Sequence, residues 1–211
     1  MEVLITGGSG FIGSYVLRKL ASSDHAVRVL SRDASSDGLA VSADNLSLTQ
    51  GDVLDASSLD SAMDGVDAVI HLVGIIDEIP SRGITFENVH VEGTRNIVNA
   101  AMRARVRTFV HMSANGARKD GVSRYQTTKW EAEKIVESAG FARWTIFRPS
   151  IVFGKPDPDR PEFASKLVRQ LIKPFPILPV FGDGKYRLQP VAVESLADAM
   201  TLALDRSFQH P

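Results

Sequence analysis

The stretch that decides the fold of this 211-residue chain is EVLITGGSGFIG, residues 2–13. An apolar run with the length of a buried strand passes directly into a glycine-rich turn, and the pattern YVLRKL at 15–20 then has helical periodicity. A strand, a glycine turn and a helix in that order hold the pyrophosphate of a dinucleotide, because backbone N–H groups and a helix N-terminus meet the anion. The opening of the chain therefore predicts a dinucleotide-binding unit.

The glycines of this turn are predicted to have different tasks. Gly7 permits the tight turn, Gly10 lets the backbone approach the phosphates, and Gly13 lets the helix pack closely on the strand. The spacing is G-x-x-G-x-x-G. A glycine-rich turn without a ligand is the alternative, which the position between a clear strand and a clear helix disfavours. The predicted cofactor contacts of the turn are Gly7, Gly8, Ser9, Gly10, Phe11, Ile12 and Gly13.

Composition excludes several classes of protein. The apolar fraction of 44%, the charged fraction of 23% and a net charge of −1 are typical of a globular protein that binds neither nucleic acid nor a membrane surface. The chain has no cysteine, and its five histidines lack metal-ligand spacing, so no metal is predicted. No apolar run approaches the ~20 residues of a membrane span. With a strand starting at residue 2 there is no room for a leader peptide, and a cytoplasmic location is expected.

Strand and helix patterns alternate along the chain, which predicts an α/β fold: a Rossmann-type, doubly wound parallel sheet with helices on both faces. A change in composition after Pro149 predicts two parts, a dinucleotide-binding domain at 1–149 and a small, incomplete C-terminal cap at 150–211 that does not fold independently. The predicted later strands are 26–30, 46–50, 66–73, 108–112, 144–147 and one near 186–191, and the predicted later helices are 57–63, 86–105, 125–138, 162–172 and 194–204.

In its motifs the chain resembles the extended short-chain dehydrogenase/reductase superfamily, which includes epimerases and dehydratases. The motifs are TGGSGFIG at 6–13, GDVLD at 51–55, HLVG at 71–74, GTRN at 93–96, Tyr125-x-x-x-Lys129 and RPSIVFG at 148–154. HMSANGA at 111–117 and FGDG at 181–184 resemble most closely the bacterial relatives of the nucleotide-binding accessory subunit of respiratory complex I. Extended members continue further, so the resemblance implies a truncated or a short member.

The resemblance implies that Tyr125 and Lys129 form a catalytic pair. Residues i and i+4 share one helix face, and an ammonium beside a phenol lowers the phenol pKa toward the working pH. The tyrosine could then move a proton to or from a substrate oxygen during hydride transfer, while Lys129 also binds the nicotinamide ribose. Two surface residues on an amphipathic helix are the alternative.

Two departures from the epimerase pattern weaken the prediction of epimerase chemistry. The alignment puts Ala114 where a Ser or Thr hydroxyl normally binds the substrate oxygen, with Ser113 one residue early, and one residue reverses side-chain direction in an extended chain. Ser113 would still reach the site if the strand ended there, so it is kept as the third catalytic candidate. His90 replaces the asparagine of the Asn-Val-x-Gly-Thr signature.

The predicted cofactor is NADP, with NAD as the alternative. NAD-binding members end the second strand with an aspartate, whereas here Ser31 and Arg32 follow that strand and suit a 2′-phosphate. In an NAD site Asp33 would bind the ribose instead. Asp52 is predicted to contact adenine, the alternative being a cap for the helix near Ser57. Val53, Leu72, Val73, Gly74, Lys129 and Pro149 complete the predicted cofactor site.

Three functions follow as hypotheses. The first is an NADP-dependent oxidoreductase that uses Tyr125 and Lys129. The second is a non-catalytic cofactor-binding protein used in assembly or sensing, and the third is a sugar-nucleotide epimerase or dehydratase. The expected partners are a small-molecule substrate and either a second copy of the chain, in a homodimer, or a larger complex. His71 is predicted to be a packing residue rather than an acid or base, Arg148 is as well explained by structure as by function, and Arg187 is a candidate anion contact.

Overall fold

The computed structural model describes residues 1–33, 39, 41–155, 168–173, 183, 185 and 187–205. Its strands are β1 Glu2–Thr6, β2 Ala26–Ser31, β3 Leu46–Gln50, β4 Ala68–His71, β5 Thr108–Met112, β6 Arg143–Phe147, β7 Val152–Phe153 and β8 Val191–Ala192. Its α-helices are α1 Phe11–Leu20, α2 Gly93–Arg103, α3 Arg124–Ser138 and α4 Val193–Leu202. Pro80–Arg82 forms a 3₁₀ turn, and Glu87–Glu92 and Val168–Ile172 are π-helical.

Six strands form one parallel sheet in the order β3-β2-β1-β4-β5-β6. The order reverses at β1, where the crossovers change from one side of the sheet to the other, and ligands of such sheets bind at that point beyond the carboxyl ends of the strands. The predicted α/β fold is therefore confirmed. β7 and β8 form a separate parallel pair.

Two apolar layers cover the sheet, because alternate residues of each strand point to opposite faces. Val3 and Ile5 of β1 pack in one layer with α1 and α4, and Leu4 packs in the other with α2 and α3. Within 150–211, the α4 side chains of Ala197 and Met200 are fully buried in the first layer. This packing supports the prediction that residues 150–211 do not fold independently of the sheet. The domain boundary after residue 149 stays a prediction.

The prediction of a single helix at 57–63 is wrong, because the structure has two 3₁₀ turns there, Ala56–Ser58 and Ser61–Met63. Ser58 Oγ bonds to the Asp55 carbonyl, and such side-chain bonds compete with helix formation. The helix predicted at 86–105 consists of the π-helical segment followed by α2. Part of the predicted helix at 162–172, most of the motif at 181–184 and part of the predicted strand near 186–191 lie outside the described residues.

Candidate functional site

The glycine turn between β1 and α1 forms an open cradle. Gly7 has φ +74°, and the Gly10 N–H donates to its carbonyl at 3.1 Å. A Cβ on Gly13 would lie 2.2 Å from the Gly7 oxygen, so close packing requires glycine there. A Cβ on Gly10 would meet only that same oxygen, at 3.3 Å, and no side chain caps the helix N-terminus. The turn therefore leaves backbone donors free for an anion, and it fits the diphosphate of a dinucleotide.

At the end of β2 the side chain of Arg32 extends into solvent. Its carbonyl accepts a hydrogen bond from Gln50 Nε2, and its guanidinium has no ion-pair partner in the described part of the chain. The Asp33 N–H donates to Ser31 Oγ at 3.3 Å, so the backbone folds back at this point. An exposed cation at the carboxyl end of β2, the strand next to β1, is available to an anionic group on the ribose.

Asp52 follows β3 and does not cap a helix. Asp55 does so instead, since its Oδ1 accepts from the Ser57 N–H at 3.0 Å. The capping alternative for Asp52 is therefore wrong. Asp52 Oδ1 accepts from the Leu54 N–H at 2.9 Å, and the buried Val53 is held through its carbonyl by Asn96 Nδ2.

The residues after β4 lie between the glycine turn and α3. A Cβ on Gly7 would lie 3.1 Å from both the Leu72 carbonyl carbon and the Val73 nitrogen. A Cβ on Gly74 would lie 3.1 Å from Lys129 Nζ. The Pro149 carbonyl, beyond β6, accepts from the Asn115 N–H at 2.8 Å. The structure thus connects the predicted cofactor residues to Lys129 through the carboxyl ends of β1, β4 and β5.

Lys129 is 4% exposed, and its ammonium donates to the Met112 carbonyl at the end of β5, at 2.9 Å. Burial lowers the pKa of Lys129 to about 8, although the nearby Glu133 carboxylate opposes this shift. Tyr125 lies one turn earlier on α3, and burial raises its pKa. The lowered tyrosine pKa expected from the sequence is therefore not found, because desolvation of the phenol is the dominant effect.

Aromatic rings fix the position of Tyr125. Phe86 and His90 both meet its ring edge to face, with centroids 5.7 and 5.4 Å away, and they stack on each other. His90 Nδ1 lies 3.1 Å from Thr128 Oγ1, and Nε2 lies 3.1 Å from both the N and O of Ile75. Burial and the charge of Lys129 lower the pKa of His90 to about 3. His90 is therefore a neutral link between the loop after β4 and the helix of Tyr125.

Ser113 lies on the same side of the sheet as α3, the helix that carries Tyr125 and Lys129. β5 ends at Met112, but the Ser113 N–H still pairs with the Phe147 carbonyl at 2.8 Å, so the strand alternation continues. That alternation places Ser113 on the face of Phe109 and His111, which α2 and α3 cover. Ser113 is 3% exposed, and its hydroxyl has no hydrogen-bond partner within the described residues. A buried, unpaired hydroxyl at this position is available to a substrate oxygen.

A buried histidine link was missed by sequence reasoning. His71 Nδ1 lies 2.7 Å from Thr6 Oγ1, and its Nε2 lies 3.1 Å from Thr94 Oγ1. Burial lowers the pKa of His71 to about 3, so it is a neutral packing residue. His111 stacks on it at 5.5 Å, and neither ring nitrogen of His111 has a partner in the described part of the structure.

Arg148 and Glu133 form a second unpredicted contact. The Arg148 guanidinium donates two hydrogen bonds to the carboxylate of Glu133, which is fully buried, and the Nε bond measures 2.7 Å. A carboxylate beside this guanidinium raises the pKa of Arg148. The contact joins the end of β6 to α3 and gives Arg148 a structural task. A glutamate four residues after Lys129 was the available sequence signal.

Together, the 3-2-1-4-5-6 parallel sheet and the open glycine cradle define a Rossmann-type dinucleotide-binding protein. The model of the NAD dependent epimerase/dehydratase family matches residues 3–211. The chain belongs to that family.

Similar proteins include enzymes and a respiratory subunit. The 3 beta-hydroxysteroid dehydrogenase/Delta 5-->4-isomerase of Mycobacterium tuberculosis is 36% identical over 54% of this chain and 32% of its own length. The mitochondrial NADH-ubiquinone oxidoreductase 40 kDa subunit of Neurospora crassa is 29% identical over 72% of this chain and 41% of its own. The matches thus span less than half of either relative.

A solved structure confirms the fold. The Bordetella bronchiseptica enzyme WbmH in complex with NAD+ superposes with a TM-score of 0.77 at 23% identity, over 97% of this chain and 72% of its own. Among the residues that the model describes, no helix has the length and hydropathy needed to cross a bilayer. The same residues contain no group of three or more His, Cys, Asp or Glu side chains that could hold a metal ion.

Proposed function

We propose that this protein is an NADP-dependent oxidoreductase that reduces a carbonyl group, with Tyr125 as the proton donor. The observation that carries the proposal is the buried Lys129 one helical turn from Tyr125, with its ammonium fixed on the Met112 carbonyl at 2.9 Å. A buried amine is costly, so a site that holds one beside a phenol favours a catalytic task over a structural one.

The protonation states suit reduction. Burial raises the pKa of Tyr125, so its phenol keeps its proton at neutral pH and can donate it. As the proton leaves, the positive charge of Lys129 stabilises the phenolate that forms. The unpaired Ser113 hydroxyl would orient the substrate oxygen. A bound nicotinamide would supply the hydride.

The cofactor assignment rests on Arg32. Its exposed guanidinium directly follows β2, and the last residue of that strand is Ser31 rather than an acid. A 2′-phosphate would gain a charge-assisted contact there, and no carboxylate at the Ser31 position would repel it. NAD remains the alternative, because WbmH, whose solved structure is similar, is in complex with NAD+.

A non-catalytic role is the second candidate, and the similarity to the complex I 40 kDa subunit favours it. In that case a bound dinucleotide would stabilise the fold for association with a larger assembly. An epimerase or dehydratase of sugar nucleotides is the third. Ala114 at the position of the expected hydroxyl and His90 in place of the expected asparagine argue against the third candidate.

Turnover by a Tyr125→Phe variant tests the proposal. With NADPH and a panel of aldehydes and ketones, the change should lower kcat by about 10²-fold or more and leave cofactor affinity nearly unchanged, since it removes only the transferable proton. Lys129→Met should impair both kcat and cofactor binding. Tyr15→Phe on α1 is the control and should keep full activity. A Tyr125→Phe protein with full kcat would contradict the catalytic assignment, and tight NADPH binding without turnover would favour the second candidate.

A further inference from the structure

The connection from β4 to the π-helical segment, residues 75–86 (the 75–86 loop), is tied to the candidate site at both ends. At its start, the Ile75 backbone lies 3.1 Å from His90 Nε2. At its end, the Phe86 ring meets the Tyr125 ring edge to face. The 75–86 loop therefore begins and ends beside the candidate site.

Internal hydrogen bonds hold the loop in shape. Ile79 and Ile84 pair as an antiparallel bridge, with the turn between them closed by Gly83 at φ +69°. Glu78 Oε1 accepts from the Phe86 N–H at 2.7 Å. A loop stabilised in this way presents its remaining side chains in a fixed arrangement.

The loop exposes large apolar side chains. Ile76 is 46% exposed and Ile79 is 43% exposed, although the structure buries other side chains of this type in its two apolar layers. Val122, in the connection that leads to Tyr125, is 85% exposed. Exposed apolar groups next to a binding site are typical of a surface that binds an apolar ligand.

The charges around Tyr125 disfavour a ligand with a diphosphate. The 75–86 loop carries two carboxylates, Asp77 and Glu78, and one arginine. Arg124, next to Tyr125 on α3, pairs with Glu87 at 2.9 Å, and Arg148 pairs with Glu133 of the same helix. Recognition of a diphosphate needs cations that are free to bind it.

From these observations we propose that the 75–86 loop is the substrate-binding wall, and that it takes the hydrocarbon part of a carbonyl compound whose oxygen meets Tyr125. The inference rests on the proposed reductase function for the position of that oxygen. Ile76 and Ile79 contact the chain or ring of the substrate, and Phe86 continues the apolar wall to the reacting group.

A homologous series of aldehydes measures this contact. With NADPH and butanal, hexanal and octanal, kcat/KM should rise about threefold to fourfold for each methylene that the wall buries. The double variant Ile76→Ser/Ile79→Ser should lower that increment toward onefold and change kcat/KM for butanal less than twofold. Leu202→Ser is the matched control, because Leu202 is as exposed but lies on α4 across the sheet. A flat series in the unaltered protein, or an unchanged increment in the double variant, would overturn the proposal.

A binding readout separates this inference from the proposed function. In an NMR titration of the protein without cofactor, 1-octanol should bind at least tenfold more tightly than 1-butanol, and the double variant should lose the difference. If octanol binds in this way but no aldehyde is reduced, the proposed reductase function is wrong, and the proposal that the 75–86 loop binds hydrocarbon is supported. UDP-glucose binding tighter than octanol would overturn the proposal. So would sedimentation showing that the double variant abolishes a dimer while leaving octanol binding intact.

Discussion

Lys129 Nζ and the Met112 carbonyl oxygen lie 2.9 Å apart, and this hydrogen bond joins α3 to the carboxyl end of β5. The bond keeps an ammonium group in a place where solvent cannot reach it. Because burial lowers the pKa of Lys129 to about 8 from its ordinary value of 10.5, the folded protein gives up this proton before the unfolded chain does. The free energy of unfolding should therefore change with pH in the alkaline range, between about pH 8 and 10.5.

The free energy of unfolding should rise, relative to a Lys129→Met variant, as pH increases from about 8 to 10.5. In that window the unfolded chain still binds the proton and the folded protein does not, so the sign is positive, and the difference should be on the order of 1–3 kcal/mol. Urea unfolding at pH 7, 9 and 10.5 measures it. Lys134→Met, on an exposed position of the same helix, is the control and should show no such slope. Parallel curves for the protein and the Lys129→Met variant would contradict the prediction.

Two glycine substitutions in one turn should have opposite effects. Gly10→Val should abolish cofactor binding in a protein that still folds, because a side chain there meets little protein but fills the cradle. Gly13→Val should unfold or severely destabilise the protein, since its Cβ alone would lie 2.2 Å from the Gly7 oxygen. Calorimetric titration and thermal unfolding of both variants provide the test. Normal cofactor affinity in a folded Gly10→Val protein would show that the diphosphate binds elsewhere.

NADPH should bind about ten- to a hundred-fold more tightly than NADH, the preference that a charge-assisted contact of ~1.5–3 kcal/mol gives. Arg32→Ala should remove the preference with little effect on NADH. Ser31→Asp should reverse it, because the new carboxylate would repel a 2′-phosphate and bind the ribose hydroxyls of NADH. Titration of both cofactors at one fixed salt concentration measures the ratio. Equal or tighter binding of NADH by the unaltered protein would refute the assignment.

The stacked histidines should differ in their contribution to stability. His71→Leu leaves the Thr6 and Thr94 hydroxyls buried without this partner and should cost about 1–3 kcal/mol at pH 7. His111→Leu removes no hydrogen bond made by a described residue, and it should cost less than about 1.5 kcal/mol. Urea unfolding compares them. Equal losses would mean that the His111 nitrogens do have partners in solution.

Acidic pH should destabilise the protein through the protonation of His71 and His111. Their pKa values in the folded state lie below 6.5, so the unfolded chain binds protons first and stability falls as pH drops below 6.5. For His71 the window extends down to about pH 3. Either leucine variant should therefore lose less stability than the unaltered protein between pH 7 and 4.5.

The glycine turn of the candidate cofactor site could be predicted from the sequence. The side-chain contacts between different helices and strands could not. The turn at 7–13 was predicted because each of its constraints acts within a few residues of chain. The pairs Glu133–Arg148 and His71–Thr94 join positions on different elements, so no periodicity reveals them. The same reason explains Ser113, whose direction depends on a strand pairing that continues past the end of β5. The charge of Lys129 and the desolvation of Tyr125 likewise depend on burial that only the packed structure defines.

The packing of α4 on the first layer has a consequence for synthesis of the chain. β1 is made well before α4, and Val3 and Ile5 share their layer with Ala197 and Met200, which follow almost two hundred residues later. Until then one face of the nascent sheet lacks part of its cover, and exposed strands of this kind tend to aggregate. Changes that loosen α4 should therefore reduce the yield of soluble chain before they affect cofactor binding.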